Sequence, residues 1–244
     1  MSQNMYDTAV EVARRTMVLF FVVDTSGSMV GESIGALNAA IQDVIPAIKE
    51  ISDDNADARI KIAVLEFSDG AKWLTHTPME VADFHWNKLA ANGLTDFGAA
   101  CRELNRKLSK SGFMGDATGS YAPAIFLLSD GQPTDDYQKP LDELWKNKWF
   151  KAALKVAVAI GDVGEEGMVA LRAFTGNQET VLTVHTPEAL KKMIRFVSVT
   201  ASQIASKSSS AGGSGTNTKQ EAMIKAIEQV KEEDLGGIED SEWK

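Results

Sequence analysis

Cysteine is almost absent from this chain of 244 residues, which contains only Cys101. A single cysteine excludes an internal disulfide framework and any zinc site built from several thiolates. Histidine is also scarce, because the chain has only His76, His85 and His185, and none of them lies in a recognisable catalytic motif. These absences are compatible with a reducing compartment, and they give little support to thiol, zinc or histidine-based catalysis.

Long apolar runs are also lacking. The run at 17–23 is far shorter than the roughly 20 residues that a membrane-spanning helix needs. Arg14 and Arg15 precede it, as basic residues do in export signals, but the run stops at Asp24 and no A-x-A cleavage site follows. The sequence therefore predicts neither a membrane-spanning segment nor an export signal.

Basic residues are outnumbered, with 25 Lys and Arg against 34 Asp and Glu and a formal net charge of −9. Binding to nucleic acid or to anionic lipid depends on Lys and Arg contacts to phosphate, so the chain is a poor candidate for either. Its apolar fraction of 44% is ordinary and predicts a packed core. The composition therefore predicts neither a nucleic-acid nor a membrane partner.

Apolar segments of strand-like composition alternate with segments in which apolar residues recur at helical spacing. The predicted strands are 17–23, 59–67, 71–77, 124–128, 156–160 and 180–184. The predicted helices are 32–51, 97–110, 141–150, 166–174 and 187–206. The strands beginning at Met17, Ala124 and Val156 are apolar throughout, which is typical of strands covered on both faces. The pattern predicts an α/β fold with a doubly wound, mostly parallel sheet, helices on both faces and one antiparallel edge strand, 71–77.

The composition changes after residue 206. Residues 207–218 are rich in Gly and Ser and predict a flexible linker, which separates a domain at 1–206 from an acidic tail at 219–244. Met223, Ile227 and Val230 fall on one side of a predicted amphipathic helix in that tail. We expect this helix to bind its own domain or a neighbouring one, because a short isolated helix is marginal in water. A partly disordered tail is the alternative.

The first predicted strand ends in a loop that is rich in side-chain oxygens. Asp24, Ser26 and Ser28 form a D-x-S-x-S motif, and Gly27 allows the loop to turn tightly. Carboxylate and hydroxyl oxygens are hard ligands that suit Mg²⁺, Mn²⁺ or Ca²⁺. Asp and Ser before a helix also serve as helix caps, so this motif alone leaves both interpretations open.

Two other loops carry similar side chains. Thr95 and Asp96 come just before the helix predicted at 97–110, and Asp130 follows the buried strand at 124–128. In a doubly wound sheet, ligands bind at the carboxyl ends of the strands, near the topological switch point. We therefore predict that Asp24, Ser26, Ser28, Thr95 and Asp130 meet at one edge and hold a metal ion.

The segments DTSGSM, GLTDFG and LLSDG, in this order and setting, resemble the metal-ion-dependent adhesion site of a von Willebrand factor A domain. The resemblance covers about residues 10–205. More narrowly, RRTMVLFFVVDTSGSM, NGLTDFGAA and FLLSDGQPTDD resemble bacterial tellurite-resistance proteins of the TerY type. This resemblance implies a cytoplasmic bacterial stress or tellurite-resistance setting, with a kinase and a phosphatase as associated partners.

The resemblance also implies a role for each site residue. Ser26 and Ser28 would bind the metal directly, and Thr95 directly or through water. Asp24 and Asp130 would act mainly through bound waters. One coordination position would stay open for a Glu or Asp of a protein partner.

This chain departs from the family pattern at one position, since Leu94-Thr95 stands where many members have Gly-Thr. The threonine is kept, so the predicted ligand set is unchanged. We expect Asp96 to cap the following helix. We expect Asp135 and Asp136 to lie in a loop beside the site, where they could influence the choice of partner.

The predicted function is metal-dependent protein binding without catalysis. The alternative is a Mg²⁺-dependent phosphohydrolase in which Asp24 is the nucleophile. Haloacid-dehalogenase-type enzymes need a second aspartate two residues later as a general acid, and this chain has Ser26 there. A glycine-rich turn at 161–167 is acidic, through Asp162, Glu165 and Glu166, which disfavours phosphate binding and predicts a plain strand-to-helix turn.

Overall fold

The computed structural model describes residues 14–206 and 217–234, and in these ranges seven strands form one sheet. The strands are β1 (Arg15–Asp24), β2 (Ala58–Ser68), β3 (Gly70–Trp73), β4 (Met79–Glu80), β5 (Ala124–Ser129), β6 (Leu154–Ile160) and β7 (Val181–Val184). The helices are α1 (Glu32–Asp53), α2 (Phe97–Lys107), α3 (Gln138–Lys146), α4 (Lys148–Ala152), α5 (Gly164–Thr175), α6 (Pro187–Ser206) and α7 (Asn217–Asp234). None of these helices combines the length and the apolar composition that crossing a bilayer requires.

The sheet has the order β3-β2-β1-β5-β6-β7, and β4 also pairs with β2. Neighbouring strands from β2 to β7 along this order are parallel, whereas β3 and β4 run antiparallel to β2. The predicted fold class is therefore confirmed. Asp24 pairs with Phe67 and Val23 with Leu128, so the loops after β1, β2 and β5 leave the same edge of the sheet.

Side chains of β1 point alternately into two apolar layers, as a strand covered on both faces requires. Leu19, Phe21 and Val23 pack in a layer with α1 and α6. Phe20 and Val22 pack in the opposite layer with α2, α3, α4 and α5. This double burial explains why β1 is apolar at every position from Met17 to Val23, and it fixes where its carboxyl end emerges.

The prediction of one continuous helix at 141–150 is wrong, because the segment forms two helices, α3 and α4, that are separated at Asn147. The Asn147 side chain accepts hydrogen bonds from the backbone N–H groups of Trp149 and Phe150, which caps α4. Its Nδ2 donates to the carbonyls of Asn105 and Leu108. The competing side-chain bonds of one asparagine thus override a helical pattern that apolar spacing alone predicts.

Several other predicted boundaries differ from the structure. The strand predicted at 71–77 is only four residues long, and β4, which the sequence did not indicate, provides a second short antiparallel partner for β2. The helix predicted at 97–110 ends at Lys107, where Leu108 leaves helical geometry. The helix predicted at 32–51 continues to Asp53 as α1, although Pro46 lies inside it.

Helix α7 packs against its own domain. Met223 and Ile227 are 0% and 2% exposed and belong to the same apolar layer as α1 and α6. The Gln220 side chain accepts from the backbone N–H of Lys155 and donates to its carbonyl, at 3.4 and 3.2 Å. Because Lys155 lies at the start of β6, α7 covers the amino ends of the strands, away from the edge where β1 and β5 end. Residues 207–216 and 235–244 lie outside the described residues.

We expect Met223→Asp to lower the free energy of unfolding by about 2–4 kcal/mol, because it removes a fully buried side chain and places a charge in the apolar layer. Urea denaturation followed by circular dichroism would measure the loss. The matched control is Ala222→Asp, since residue 222 is exposed on the same helix. Equal stability of the two variants would mean that α7 contributes nothing to the fold in solution.

Lys155 is a buried lysine beneath α7. It is 4% exposed, and its Nζ donates to the carbonyls of Phe150 and Ala153 at 3.0 and 2.9 Å. The same nitrogen lies 4.9 Å from the ring centroid of Trp145. Burial lowers the pKa of Lys155 to about 8, since the ammonium has lost its water.

This depressed pKa predicts stability that rises with pH. Below about pH 8 both the folded and unfolded chains carry the proton, so the cost of burying the charge is fully present. Between that value and the ordinary lysine pKa of about 10.4, only the unfolded chain stays protonated. We expect wild type to gain up to about 3 kcal/mol over this window relative to Lys155→Met. Urea denaturation of both proteins at several pH values in this window would measure the gain. A difference in free energy of unfolding that does not change with pH would mean that the lysine is freely hydrated.

Candidate metal centre

The carboxylate of Asp24 is held at the end of β1 by bonds to both of its oxygens. Oδ1 accepts from the backbone N–H of Ser26 at 2.8 Å, and Oδ2 accepts from the Ser129 hydroxyl at 2.5 Å. The side chain is completely buried, and burial raises its pKa although the Ser129 and Ser26 bonds oppose this. Asp24 thus lies beneath the loop and fixes its shape. Ser129, at the end of β5, is a part of the site that the sequence did not single out.

A chain of hydrogen bonds joins the loop after β1 to the loop after β5. The Ser26 and Ser28 hydroxyl oxygens are 3.0 Å apart, and Ser28 donates to Oδ1 of Asp130 at 2.8 Å. Burial, followed by the nearby charge of Asp24, raises the pKa of Asp130 to about 6, while the Ser28 bond opposes the shift. Asp24, Ser26 and Ser28 of one short segment thus converge with Asp130, which is 102 residues after Ser28 in the sequence.

Thr95 approaches this cluster from a third loop. It is 6% exposed, its N–H donates to the Thr134 hydroxyl, and its carbonyl accepts from the Thr134 N–H, both at 3.0 Å. A Cβ added to Gly131 would lie 3.2 Å from the Ser28 hydroxyl and 3.8 Å from the Thr95 hydroxyl. The two hydroxyls thus face one small space that a side chain at 131 would fill, and a glycine keeps that space free.

Backbone bonds attach the loop of Thr95 to the loop of Ser26. Asn92 donates its N–H to the Thr25 carbonyl at 2.8 Å, and Gly27 donates to the Gly93 carbonyl at 2.9 Å. Gly93 has a φ of +80°, which favours glycine, and Asp69 lies directly against it. The Asp69 carboxylate also accepts from the Leu94 N–H at 2.8 Å. The sequence indicated only a turn at Asp69, whereas the folded chain uses it to support the site.

Asp96 occupies the N-cap position of α2, as expected, and its carbonyl accepts from the Ala99 and Ala100 N–H groups. Its side chain, however, makes no capping bond to α2 and instead accepts from the Gly70 N–H at 2.8 Å. The Gly98 N–H, in the first turn of α2, has no acceptor within the helix and donates to Oδ1 of Asp135 at 3.1 Å. Asp136 is exposed and lies in a separate groove between α2 and α3. A role for Asp135 and Asp136 in the choice of partner stays a prediction.

An open groove of about 470 Å³ lies over these loops. Four of the five predicted metal ligands line it, namely Ser26, Ser28, Thr95 and Asp130, while Asp24 lies below. The turn after β6 forms a further wall through Asp162, Val163 and Gly164. The sequence predicts only a plain strand-to-helix turn here. The strand order, in which β6 is next to β5, brings this turn to the site.

The oxygen set fits a hard divalent cation. It offers two carboxylates and three hydroxyls and no nitrogen or sulfur, the chemistry that Mg²⁺, Mn²⁺ and Ca²⁺ prefer. Among the residues that the structure describes, no three His, Cys, Asp or Glu side chains cluster in a way that could hold a metal. Any site formed here therefore depends on the serine and threonine hydroxyls for the rest of its ligands.

Several solved structures share this fold. A von Willebrand factor type A protein from Catenulispora acidiphila matches with a TM-score of 0.55 at 18% identity, over 76% of this chain and 42% of its own length. The ArnB paralog VWA2 from Sulfolobus acidocaldarius matches with a TM-score of 0.52 at 18% identity, over 74% and 44%. Proximal thread matrix protein 1 from the mussel byssus, with a zinc-occupied MIDAS motif, matches with a TM-score of 0.55 at 15% identity, over 76% and 48%. The chain thus spans less than half the length of these three proteins.

Comparison with curated protein sequences gave no significant match. The sequence model of the von Willebrand factor type A domain, however, matches residues 19–196. This range begins within β1 and ends within α6, so it includes all three loops of the candidate metal centre. Since the match covers most of the chain, this protein belongs to the von Willebrand factor type A domain family.

Proposed function

We propose that this chain is a protein-interaction domain that binds an acidic side chain of a partner through a divalent cation. The observation that carries the proposal is the hydrogen-bonded sequence of oxygens from Ser26 through Ser28 to Asp130, with the Thr95 hydroxyl facing the same space. These side chains, together with Asp24 below them, would hold the ion. Mg²⁺ is the cation that we propose, with Mn²⁺ or Ca²⁺ as substitutes.

The binding chemistry follows from the ligand set. Hydroxyl ligands carry no charge, and both oxygens of Asp24 already accept hydrogen bonds within the protein. An ion held mainly by hydroxyls would therefore stay electropositive on its open side and attract a carboxylate. A Glu or Asp of a partner supplies that group. The chain contributes the rigid cradle, because the loops that hold the oxygens are tied together by backbone bonds.

The same geometry argues against a phosphohydrolase that uses Asp24 as its nucleophile. A nucleophilic carboxylate needs one oxygen that can reach the substrate, whereas Asp24 is completely buried and both of its oxygens accept hydrogen bonds. We therefore propose binding without catalysis.

The cellular setting is the finer part of the proposal. We propose a cytoplasmic role in a bacterial stress or tellurite response, with a kinase or phosphatase among the associated proteins. The support for this setting is the sequence wording around the three loops, DTSGSM, NGLTDFGAA and LLSDGQPTDD. Deleting the gene in its host and measuring growth on tellurite would test the setting apart from the chemistry.

Calorimetric titration of Mg²⁺ and Mn²⁺ into the full chain tests the metal-binding proposal, and a phosphate-ester assay in Mg²⁺ tests the absence of catalysis. We expect saturable metal binding and no turnover of para-nitrophenyl phosphate. Turnover that disappears in Asp24→Asn would replace the binding proposal with a hydrolase. A folded wild-type chain that binds neither metal, alone or with a glutamate-containing peptide, would contradict the proposal.

A further inference from the structure

Two exposed apolar side chains lie beside the candidate metal centre. Among the described residues, the large hydrophobic side chains that are exposed are Val30 at 63%, Leu94 at 58% and Val169 at 47%. Leu94 precedes the predicted ligand Thr95 and lines the groove, and Val30 is two residues after Ser28. Single exposed apolar residues are ordinary on protein surfaces. What distinguishes Val30 and Leu94 is that they lie next to the same set of metal-ligand candidates.

The backbone around Leu94 holds its side chain in place at the surface. Its own N–H donates to the Asp69 carboxylate, and the carbonyl of Gly93 accepts from Gly27. Thr95, on its other side, bonds to Thr134 through both its N–H and its carbonyl. The segment therefore cannot turn to bury the leucine without breaking these bonds. A partner that covers Leu94 would gain the burial of apolar area without the cost of ordering a mobile loop.

The opposite wall of the groove is acidic. Asp162 follows β6 and is exposed, and its Oδ1 accepts from the Gly164 N–H at 3.0 Å, which orients the carboxylate. In the strand order, Leu94 lies with the loops of β1 and β2, whereas Asp162 lies beyond β5. The groove thus has an apolar side and an acidic side, with the oxygen cluster between them.

We infer that the partner segment carries an acidic residue with an apolar neighbour on one side and a basic residue on the other. This inference rests on the proposed function, because the acidic residue is the one that reaches the cation. The apolar side chain covers Leu94, and the basic side chain faces Asp162, because these two residues line opposite sides of the groove. The direction in which the segment lies across the groove follows from these two contacts.

A random peptide library displayed on phage, selected on the immobilised full chain in Mg²⁺ and eluted with chelator, tests the inference. The selection is repeated with Leu94→Ser, with Asp162→Asn, which keeps the acceptor for Gly164, and with the control Val169→Ser, which removes an exposed valine from α5. Mg²⁺ titration of each variant by calorimetry supplies the metal occupancy for the comparison. In wild type, we expect peptides with an acidic residue between a large apolar residue and Lys or Arg.

Leu94→Ser should reduce the enrichment of the apolar neighbour by about tenfold, the effect of leaving one leucine-sized contact unburied. Asp162→Asn should reduce the enrichment of Lys and Arg, and Val169→Ser should keep the wild-type pattern. Acidic residues enriched without these neighbours, or a pattern that Leu94→Ser leaves unchanged, would overturn the inference while the metal-dependent function stands. Failure to enrich any acidic residue in Mg²⁺ would overturn both.

Discussion

Asp130→Asn and Ser28→Ala should each weaken Mg²⁺ binding on the order of a hundredfold. Asp130 is one of the two carboxylates in the proposed ligand set, so its replacement removes half of the negative charge of that set. Ser28 is the centre of the oxygen chain, since its hydroxyl contacts both Ser26 and Asp130. With only hydroxyls to complete the ligand set, no neighbouring group can replace either residue.

Calorimetric titration of Mg²⁺ at neutral pH would measure these effects. The matched controls are Asp142→Asn and Ser111→Ala, because both residues are exposed and lie away from the three loops. Thermal unfolding of each variant in chelator separates loss of metal from loss of fold. Since Ser28 and Gly27 are exposed at the surface, we expect Ser28→Ala to keep the unfolding temperature of the wild-type chain. Undiminished Mg²⁺ affinity in both Asp130→Asn and Ser28→Ala would place any bound ion elsewhere.

Asn38→Ala should lower the free energy of unfolding by about 3 kcal/mol, the second large effect that we expect. Asn38 is buried on α1, and its Nδ2 donates to the Leu89 carbonyl at 2.9 Å. Its Oδ1 accepts from the Trp86 indole N–H and the Leu89 N–H at 3.0 and 2.8 Å. Alanine would leave three polar groups without this partner, at about 1 kcal/mol each. These bonds hold the segment at 84–96, which has almost no regular secondary structure and leads into Thr95.

The control for this variant is Asn92→Ala, in the same segment. The Asn92 side chain is exposed, and the bond to Thr25 comes from its backbone N–H, which alanine keeps. Urea denaturation should show the loss in Asn38→Ala only. We also expect a weaker Mg²⁺ affinity in Asn38→Ala, because the loop of Thr95 loses one of its attachments to the domain. An equal midpoint for the two variants would show that the segment is held by its other contacts.

The folded chain combines a rigid cradle with a polar, open groove. Asp69, Asn38 and Thr134 fix the loop of Thr95, and Asp24 with Ser129 fixes the loops after β1 and β5. A cradle that is ordered before the ion arrives does not need to spend binding energy on ordering itself. Such preordering would favour the proposed metal binding, because hydroxyl ligands are individually weak.

Local sequence patterns were sufficient for the elements whose burial is uniform. Residues 17–23 of β1, 124–128 of β5 and 156–160 of β6 are apolar throughout because both faces of these strands are covered, so composition alone revealed them and the parallel sheet that they form. The prediction of one helix at 141–150 was wrong because the break at Asn147 depends on contacts with distant residues. Its boundary depends on one asparagine whose partners, Asn105 and Leu108, are about 40 residues away. No periodicity in the segment itself carries that information.

Sequence by itself determined the sheet, its loop-bearing edge and the oxygen residues on three loops, because buried strands and hydroxyl-rich turns have a local signature. Only the tertiary structure decided how the loops are joined. In the folded chain the Asp69 carboxylate accepts a hydrogen bond from the Leu94 N–H. Asp135, and not Asp96, uses its side chain to accept a hydrogen bond from the first turn of α2. Asp162 lies across the groove from Leu94. Hydrogen bonds between distant loops depend on which strands are neighbours, and strand order is a property of the whole folded chain.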